Sequence, residues 1–303
     1  MTISNDTECK VNVVVLNYND ASTTISYVKK LQEYDVIEHI LVVDNCSTDD
    51  SFIQLSKIHS DKIEIIQSDK NGGYGYGNNY GVRFLVTKYK SKYIAISNPD
   101  VEISEVAIAN CLYNLNRNTN CAVVAPMMKM PNMAKNYHCA WRVPSFWQYL
   151  LFTLEFLGKY GRKMFYSKDF FDDGDIAKVG CVAGSFLVVD AEKFVRAGMY
   201  DENIFLYCEE TVLGIKLKKI GFDSILLRDQ YFIHHHSISI NKSISSINKQ
   251  NELMWNSREY VLKNYYNSSS FKRFMVFLIK RVSLLENRVY QMLKAKLDYF
   301  RKK

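Results

Sequence analysis

Val11-Asn-Val-Val-Val-Leu-Asn-Tyr-Asn-Asp20 begins as a run rich in β-branched residues and closes on four polar ones. A strand buried on both faces reads as such a continuous apolar run, not as an alternation of apolar and polar residues. The stretch that follows places Ile25, Val28 and Leu31 at helical spacing, so this part of the chain reads as one β-α step.

The step repeats on either side of two further breaks. Ile37 to Val43 is apolar and stops at Asp44-Asn45, and Ser47-Thr-Asp-Asp-Ser51 has the composition of a helix start leading into Phe52, Leu55 and Ile58. Ile63-Glu-Ile-Ile66 supplies a third strand, Asn71-Gly-Gly-Tyr-Gly-Tyr-Gly77 a glycine-rich loop before a helix, and Tyr93-Ile-Ala-Ile-Ser97 the next strand. Strands alternating with helices predict an α/β fold with a mixed, mostly parallel sheet flanked by helices. Ligands of such sheets lie beyond the carboxyl ends of the strands, which here carry Asn17, Asp44, Asn71 and Asn98-Pro-Asp100. The strand rhythm fades from Ala125 to Phe171. It returns at Gly180 to Asp190, before a helix from Glu209 to Ile220 with Gly221 at its C-cap and a last helix from Phe271 to Lys303.

A chain of 303 residues, 48% of them hydrophobic, can bury a sizeable core. Its 39 basic and 32 acidic residues leave +7, a modest excess that argues against a nucleic-acid partner. Seven cysteines, an odd number without a Cys-x-x-Cys pair, fit a reducing cytoplasm. Met1 to Lys10 is polar and lacks the apolar centre of a signal peptide, and no apolar run is long enough to cross a bilayer, so a soluble or peripherally bound protein is expected.

Asn98-Pro-Asp100 sets a carboxylate on a turn after an apolar strand, where it can reach a hard divalent cation touching diphosphate oxygens; taken alone it is ordinary turn chemistry. The glycines at 72, 73, 75 and 77 miss the dinucleotide fingerprint, since Asn78 and Tyr80 occupy the third-glycine positions, which argues against a nicotinamide enzyme. The loop reads instead as a flexible segment able to close on a ligand through backbone N–H groups. Glu209 and Glu210 fall in the first turn of a helix, where the dipole favours negative charge. His234, His235 and His236 follow a strand-like Tyr231-Phe-Ile233, so His234 and His236 share one face.

Taken in order, Val42-Val-Asp-Asn45 with Ser47-Thr-Asp49, Asn71 to Asn79, Asn98-Pro-Asp-Val101, Gly184-Ser-Phe-Leu187, Gly198-Met-Tyr-Asp-Glu202, Phe205-Leu-Tyr-Cys-Glu-Glu210 and the histidines before Ser237 and Ser239 resemble the family 2 glycosyltransferases of GT-A fold, in particular their rhamnosyltransferase-like branch. The resemblance covers about residues 11 to 265. It implies an inverting transfer of a sugar from a nucleotide diphosphate, dTDP-rhamnose before UDP-hexoses, to a saccharide acceptor, often lipid-linked, in bacterial cell-surface polysaccharide synthesis at the inner face of the cytoplasmic membrane. Asp44 then matches the carboxylate near base and ribose, and Asp100 the second acid of the metal motif, with Asn98 where many relatives have aspartate. Glu210 matches the general base and Glu209 the glutamate before it, while Val212 replaces a further aspartate. The divalent ion, Mg2+ or Mn2+, would be held by Asp100 with His236, or His234 in its place. Asn17, Asn71 and Gly73 would line the donor site, with Arg258 facing the diphosphate.

The expected organisation is a polar tail (1–10), a GT-A domain (11–265) with a nucleotide-binding half to about 125 and an acceptor and catalytic half beyond it, and a basic amphipathic helical segment (266–303). The aromatic stretch from Trp141 to Tyr166 would be the acceptor-facing insertion. Phe271-Lys-Arg-Phe-Met-Val-Phe-Leu-Ile-Lys-Arg281 suits an anionic membrane surface, and packing on the domain or on a second copy in a homodimer is the alternative. A sugar-1-phosphate nucleotidyltransferase and a non-catalytic carbohydrate- or nucleotide-binding module are the competing readings. The first usually carries its glycine-rich segment at the first strand, where this chain has Asn17-Tyr-Asn19.

Overall fold

A computed structural model of the chain describes residues 9–154, 157–235 and 247–301. The leading half follows the expected alternation: β1 (Val11–Asn17), α1 (Ala21–Leu31), β2 (Ile37–Asp44), α2 (Ser51–Leu55), β3 (Ile63–Gln67), α3 (Tyr74–Tyr89) and β4 (Tyr93–Ser97). These four strands run parallel in the order β3-β2-β1-β4. The valines of β1 and the whole of β4 are buried, because helices cover both faces of the sheet. Helix α3 lies close on β1, since a Cβ at Gly81 would stand 2.7 Å from Val14 and one at Gly77 2.4 Å from Leu16.

Beyond β4 come β5 (Val101–Ile103), α4 (Glu105–Arg117), whose first turn is capped by Ser104, and β6 (Cys121–Lys129). The expected loss of strand rhythm from Ala125 is therefore late by one half-strand. A proline at 126 sits inside β6, where pairing is offset by a register shift in the neighbouring strand. The insertion then supplies β7 (Ala140–Trp141), α5 (Phe146–Leu151), α6 (Gly158–Gly161) and β8 (Ile176–Val179). It is followed by β9 (Cys181–Val182), β10 (Phe186–Asp190), α7 (Ala191–Arg196), α8 (Glu209–Lys219) and β11 (Asp223–His234). Strand β10 enters the main sheet antiparallel, between β4 and β6, and β11 lies beyond β6, giving nine strands in order β3-β2-β1-β4-β10-β6-β11-β5 with β8 on β11. This mixed sheet with flanking helices is the GT-A fold.

Two helices close the chain, α9 (Ile247–Asn264) and α10 (Ser270–Arg301). They belong to a second core, separate from that of the sheet, in which Val261, Leu262, Val276 and Ile279 meet Phe146, Tyr149 and Leu150 of α5, together with Ile204, Cys208 and Val212. The terminal helix is thus joined through its first half to the helix that carries Glu209 and Glu210. All seven cysteines are free. Among the described residues no helix is long and apolar enough to cross a membrane.

Candidate active site

Register brings the strand ends together. Asn17 pairs with Asp44 and Asp44 with Gln67, while β4 ends beside β1. Asp44 is fully buried, and both of its oxygens are occupied. Oδ1 accepts from Asn17 Nδ2 (2.8 Å) and Ser47 Oγ (2.6 Å), and Oδ2 from the Ser47 N–H and Gln67 Nε2 (both 3.0 Å). A carboxylate offers about four acceptor positions, so a nucleoside would have to displace the Ser47 hydroxyl or the Gln67 amide to reach it. Sequence reasoning missed Gln67; its place at the end of β3, one strand from Asp44, is the signal that would have found it.

The glycine loop differs from the open, flexible cradle expected. Asn71 Oδ1 accepts from Asn45 Nδ2 (3.0 Å) and from the Gly73 N–H (3.2 Å), and the Tyr74 N–H donates to the Phe205 carbonyl (2.9 Å). Its glycines serve close packing. At Gly73 φ is +90°, and a Cβ would stand 1.9 Å from the Phe205 oxygen; one at Gly75 would meet Tyr200 at 3.0 Å. Loop and acidic segment are thereby stitched together across 130 residues of sequence.

Glu209 and Glu210 open α8, as expected from the first-turn composition, and the backbone just ahead of them is left-handed at Tyr207 (φ 70°) and Cys208 (φ 77°). Two consecutive non-glycine residues in that region hold strain, which the packing of Cys208 in the second core sustains. Glu209 is buried with Oε1 lacking a hydrogen-bond partner. Glu210 Oε1 accepts from the Gly184 N–H (3.2 Å), and the Gly184 carbonyl accepts from the Tyr74 hydroxyl (2.6 Å). Burial raises both carboxyls above the ordinary 4.5. At Glu209, which lacks a partner on Oε1, the Glu210 charge adds to the rise, whereas backbone N–H groups including that of Gly184 restrain it at Glu210. The pair therefore holds one proton more readily than none, with Glu209 its natural bearer and Glu210 the ionisable member. Burial and the two glutamates also push the Tyr74 phenol well up, so it remains a donor.

On the other side of the strand ends, Asp100 is buried with Oδ1 3.2 Å from Nε2 of His234. Antiparallel pairing of Val101 with His234 enforces the meeting, and the His235 N–H donates to the Asp100 carbonyl (3.0 Å). The His235 ring turns away to Glu102 (2.6 Å). His236, the favoured ligand by sequence, lies outside the described residues. Among the described residues no three His, Cys, Asp or Glu side chains gather into a metal cluster. A hard oxygen beside an imidazole nevertheless fits Mg2+ or Mn2+, ions that take few protein ligands when diphosphate oxygens and water complete the shell. Asn98 is half-buried, its N–H bound to the Ser185 carbonyl (2.9 Å). An open cleft of about 460 Å3 adjoins Asp100 between α1 and β5.

Arg258 is buried, although most arginines are surface residues. Its guanidinium stands 5.0 Å from the ring of Tyr149, 5.5 Å from Phe152 and 5.7 Å from Trp255, with Nε and Nη1 lacking hydrogen-bond partners. Burial pushes the nearby Cys208 thiol up to about 12, with Arg258 opposing the rise. Among the described residues no carboxylate pairs with it, and a desolvated cation of this kind suits an anion brought from outside.

Polar strand ends facing one mouth, the Asp100–His234 pair beside them and the glutamate pair at the start of α8 are brought together by this fold. The sequence profile of Glycosyl transferase family 2 matches residues 12–174, and the chain belongs to that family. It is 30% identical over 132 residues to a low-salt glycan biosynthesis hexosyltransferase of Haloferax volcanii, a match covering 40% of each chain and so less than half of that relative. It is 24% identical over 218 residues to the N-acetylglucosaminyl-diphospho-decaprenol L-rhamnosyltransferase of Mycobacterium tuberculosis, covering 68% of this chain and 69% of the other. In fold it is similar to a mannosyltransferase of Pyrobaculum calidifontis solved with GDP-Man and Mn2+, with TM-score 0.56 at 13% identity over 96% of this chain and 80% of that one.

Proposed function

We propose that the chain inverts the anomeric centre of a nucleotide-linked sugar while transferring it to a saccharide acceptor, with Glu210 as general base. The observation that carries this reading is the glutamate pair at a helix start, Glu209 buried and Glu210 half-buried, with Glu210 tied through Gly184 and Tyr74 to the donor-side loop. The Glu210 carboxylate takes the proton of the acceptor hydroxyl as its oxygen attacks the anomeric carbon. The bond from that carbon to the phosphate oxygen breaks, and the nucleoside diphosphate leaves with the electron pair. Glu209, carrying a proton, spares Glu210 a charged neighbour. Asp100 and His234 would hold a divalent ion that stabilises the leaving diphosphate when bound, with Arg258 as a further cation facing it. Asn17, Asp44, Asn71 and Gly73 shape the nucleoside side, and Asn98 borders the metal position.

dTDP-rhamnose is the favoured donor and a UDP-hexose the next. The acceptor is placed on a lipid diphosphate at the inner membrane face, in cell-surface polysaccharide synthesis. The name of the mycobacterial relative supports rhamnose and a lipid-linked acceptor. A panel of nucleotide sugars with Mn2+, read by thermal stabilisation and by release of nucleoside diphosphate on adding acceptor, tests it. dTDP-rhamnose is expected to raise the melting temperature most, and a panel without any stabilising donor would overturn the reading.

A further inference from the structure

The modest overall charge conceals an uneven distribution. Ten of the 39 basic residues and only two of the 32 acidic ones fall within 271–303, so this segment carries +8 and the rest of the chain −1. The same helix keeps an unpartnered apolar face. Val276, Ile279 and Ser283 of α10 are buried in the second core, whereas Phe271, Phe274, Leu278, Val282, Leu285 and Val289 are exposed, Phe271 by 64% and Leu285 by 63%. Their spacings of three or four residues draw one continuous stripe along the helix. Three exposed arginines, Arg273, Arg281 and Arg288, recur every seven or eight residues and so return to one side of the helix. The aromatic surface extends onto α5, where Phe146 holds the Lys272 ammonium 4.9 Å from its ring centre and the next residue, Trp147, is exposed.

We infer that the outer face of α10 is a membrane-docking surface for anionic phospholipid, lying in the headgroup plane with its phenylalanines and leucines in the acyl boundary. Charge decides between the occupants. A second copy seated on the same stripe would bring two +8 segments together without complementary acids, while an anionic bilayer neutralises them. An apolar face of this length also has no use on a nucleic acid, whose backbone asks for bases alone. The inner face of α10 is anchored where the chemistry is: Trp255 of α9 donates to Ser283 (3.2 Å), and Val276 and Ile279 share a core with Cys208 and Val212. Docking would set the glutamate pair at a fixed distance from the lipid surface.

The surface is tested without nucleotide sugar, so its failure is distinct from failure of the proposed transfer. Full-length protein is floated with phosphatidylcholine vesicles and with vesicles containing about 30 mol% phosphatidylglycerol. Flotation with the anionic vesicles only, weakened at least about tenfold by the combined Phe274→Ser, Leu278→Ser and Leu285→Ser changes and also by about 0.5 M salt, is expected. An unchanged melting temperature shows that the variant is folded. Absence of flotation by the unaltered protein, or equal flotation by the variant, overturns the inference. So does a dimer that the variant converts to monomer while neither form binds vesicles, which would make the stripe an interface between copies.

Discussion

Glu209 and Glu210 are adjacent, and their environments push them unequally. The folded-state value of Glu209 lies well above 4.5, so the folded chain binds its proton more tightly than the unfolded chain does. That contribution to stability is fully present below the unfolded value and is lost as pH rises through the folded one. Glu209→Gln, which keeps the shape and removes the ionisation, is expected to match the parent near pH 4 and to exceed it by about 1–3 kcal/mol at neutral pH and above, read by denaturant melts across pH. Because Glu209 already carries its proton when Glu210 ionises, the same change should leave the rising limb of activity against pH in place. Glu210→Gln should lower kcat by about two to four orders of magnitude and leave donor binding nearly intact. Normal turnover in that variant would remove Glu210 as the base.

At the scale of elements, the glycine loop is held by steric fit. Gly73 combines φ +90° with ψ −174°, a region almost confined to glycine, and faces the Phe205 carbonyl. Gly73→Ala should therefore cost at least about 3 kcal/mol and lower activity through the displaced acidic segment. Gly221→Ala, at φ +81° but with nothing within 4 Å of its Cβ, should cost only about 1 kcal/mol. Equal losses in denaturant melts would mean that backbone conformation alone, without the Phe205 contact, sets the penalty. The contrast also marks what sequence can convey. β1 to β4 were legible because parallel strands buried on both faces leave uninterrupted apolar runs, and α8 because two acids open it and Gly221 follows it. Strands β5, β7 and β9, of two or three residues, carry no period to read, and they pair with partners far along the chain. The acids and histidines were legible as types. The meeting of Asp100 with His234 depends on the antiparallel β5–β11 pairing, and that of Gly184 with Glu210 on packing across 26 residues, which spacing does not encode.

Across the whole molecule, donor and metal should act on stability as one ligand. Among the described residues Asp100 and His234 would give a divalent ion two protein donors, and hard cations of this kind complete six or more positions with phosphate and water. Mn2+ alone is then expected to leave the melting temperature nearly unchanged, and donor alone to raise it weakly, since the diphosphate would face buried Asp100 without a counter-ion. Together they should stabilise by more than the sum. A ligand present at about one hundred times its Kd adds about 2.7 kcal/mol, so the combination should be plain in a thermal melt. Asp100→Ala should abolish the synergy. His234→Ala should abolish it equally, since His234 is the second donor of the pair. A full shift by donor in the presence of EDTA would show that the diphosphate is neutralised without a metal ion, and would move the leaving-group chemistry to the buried guanidinium of Arg258.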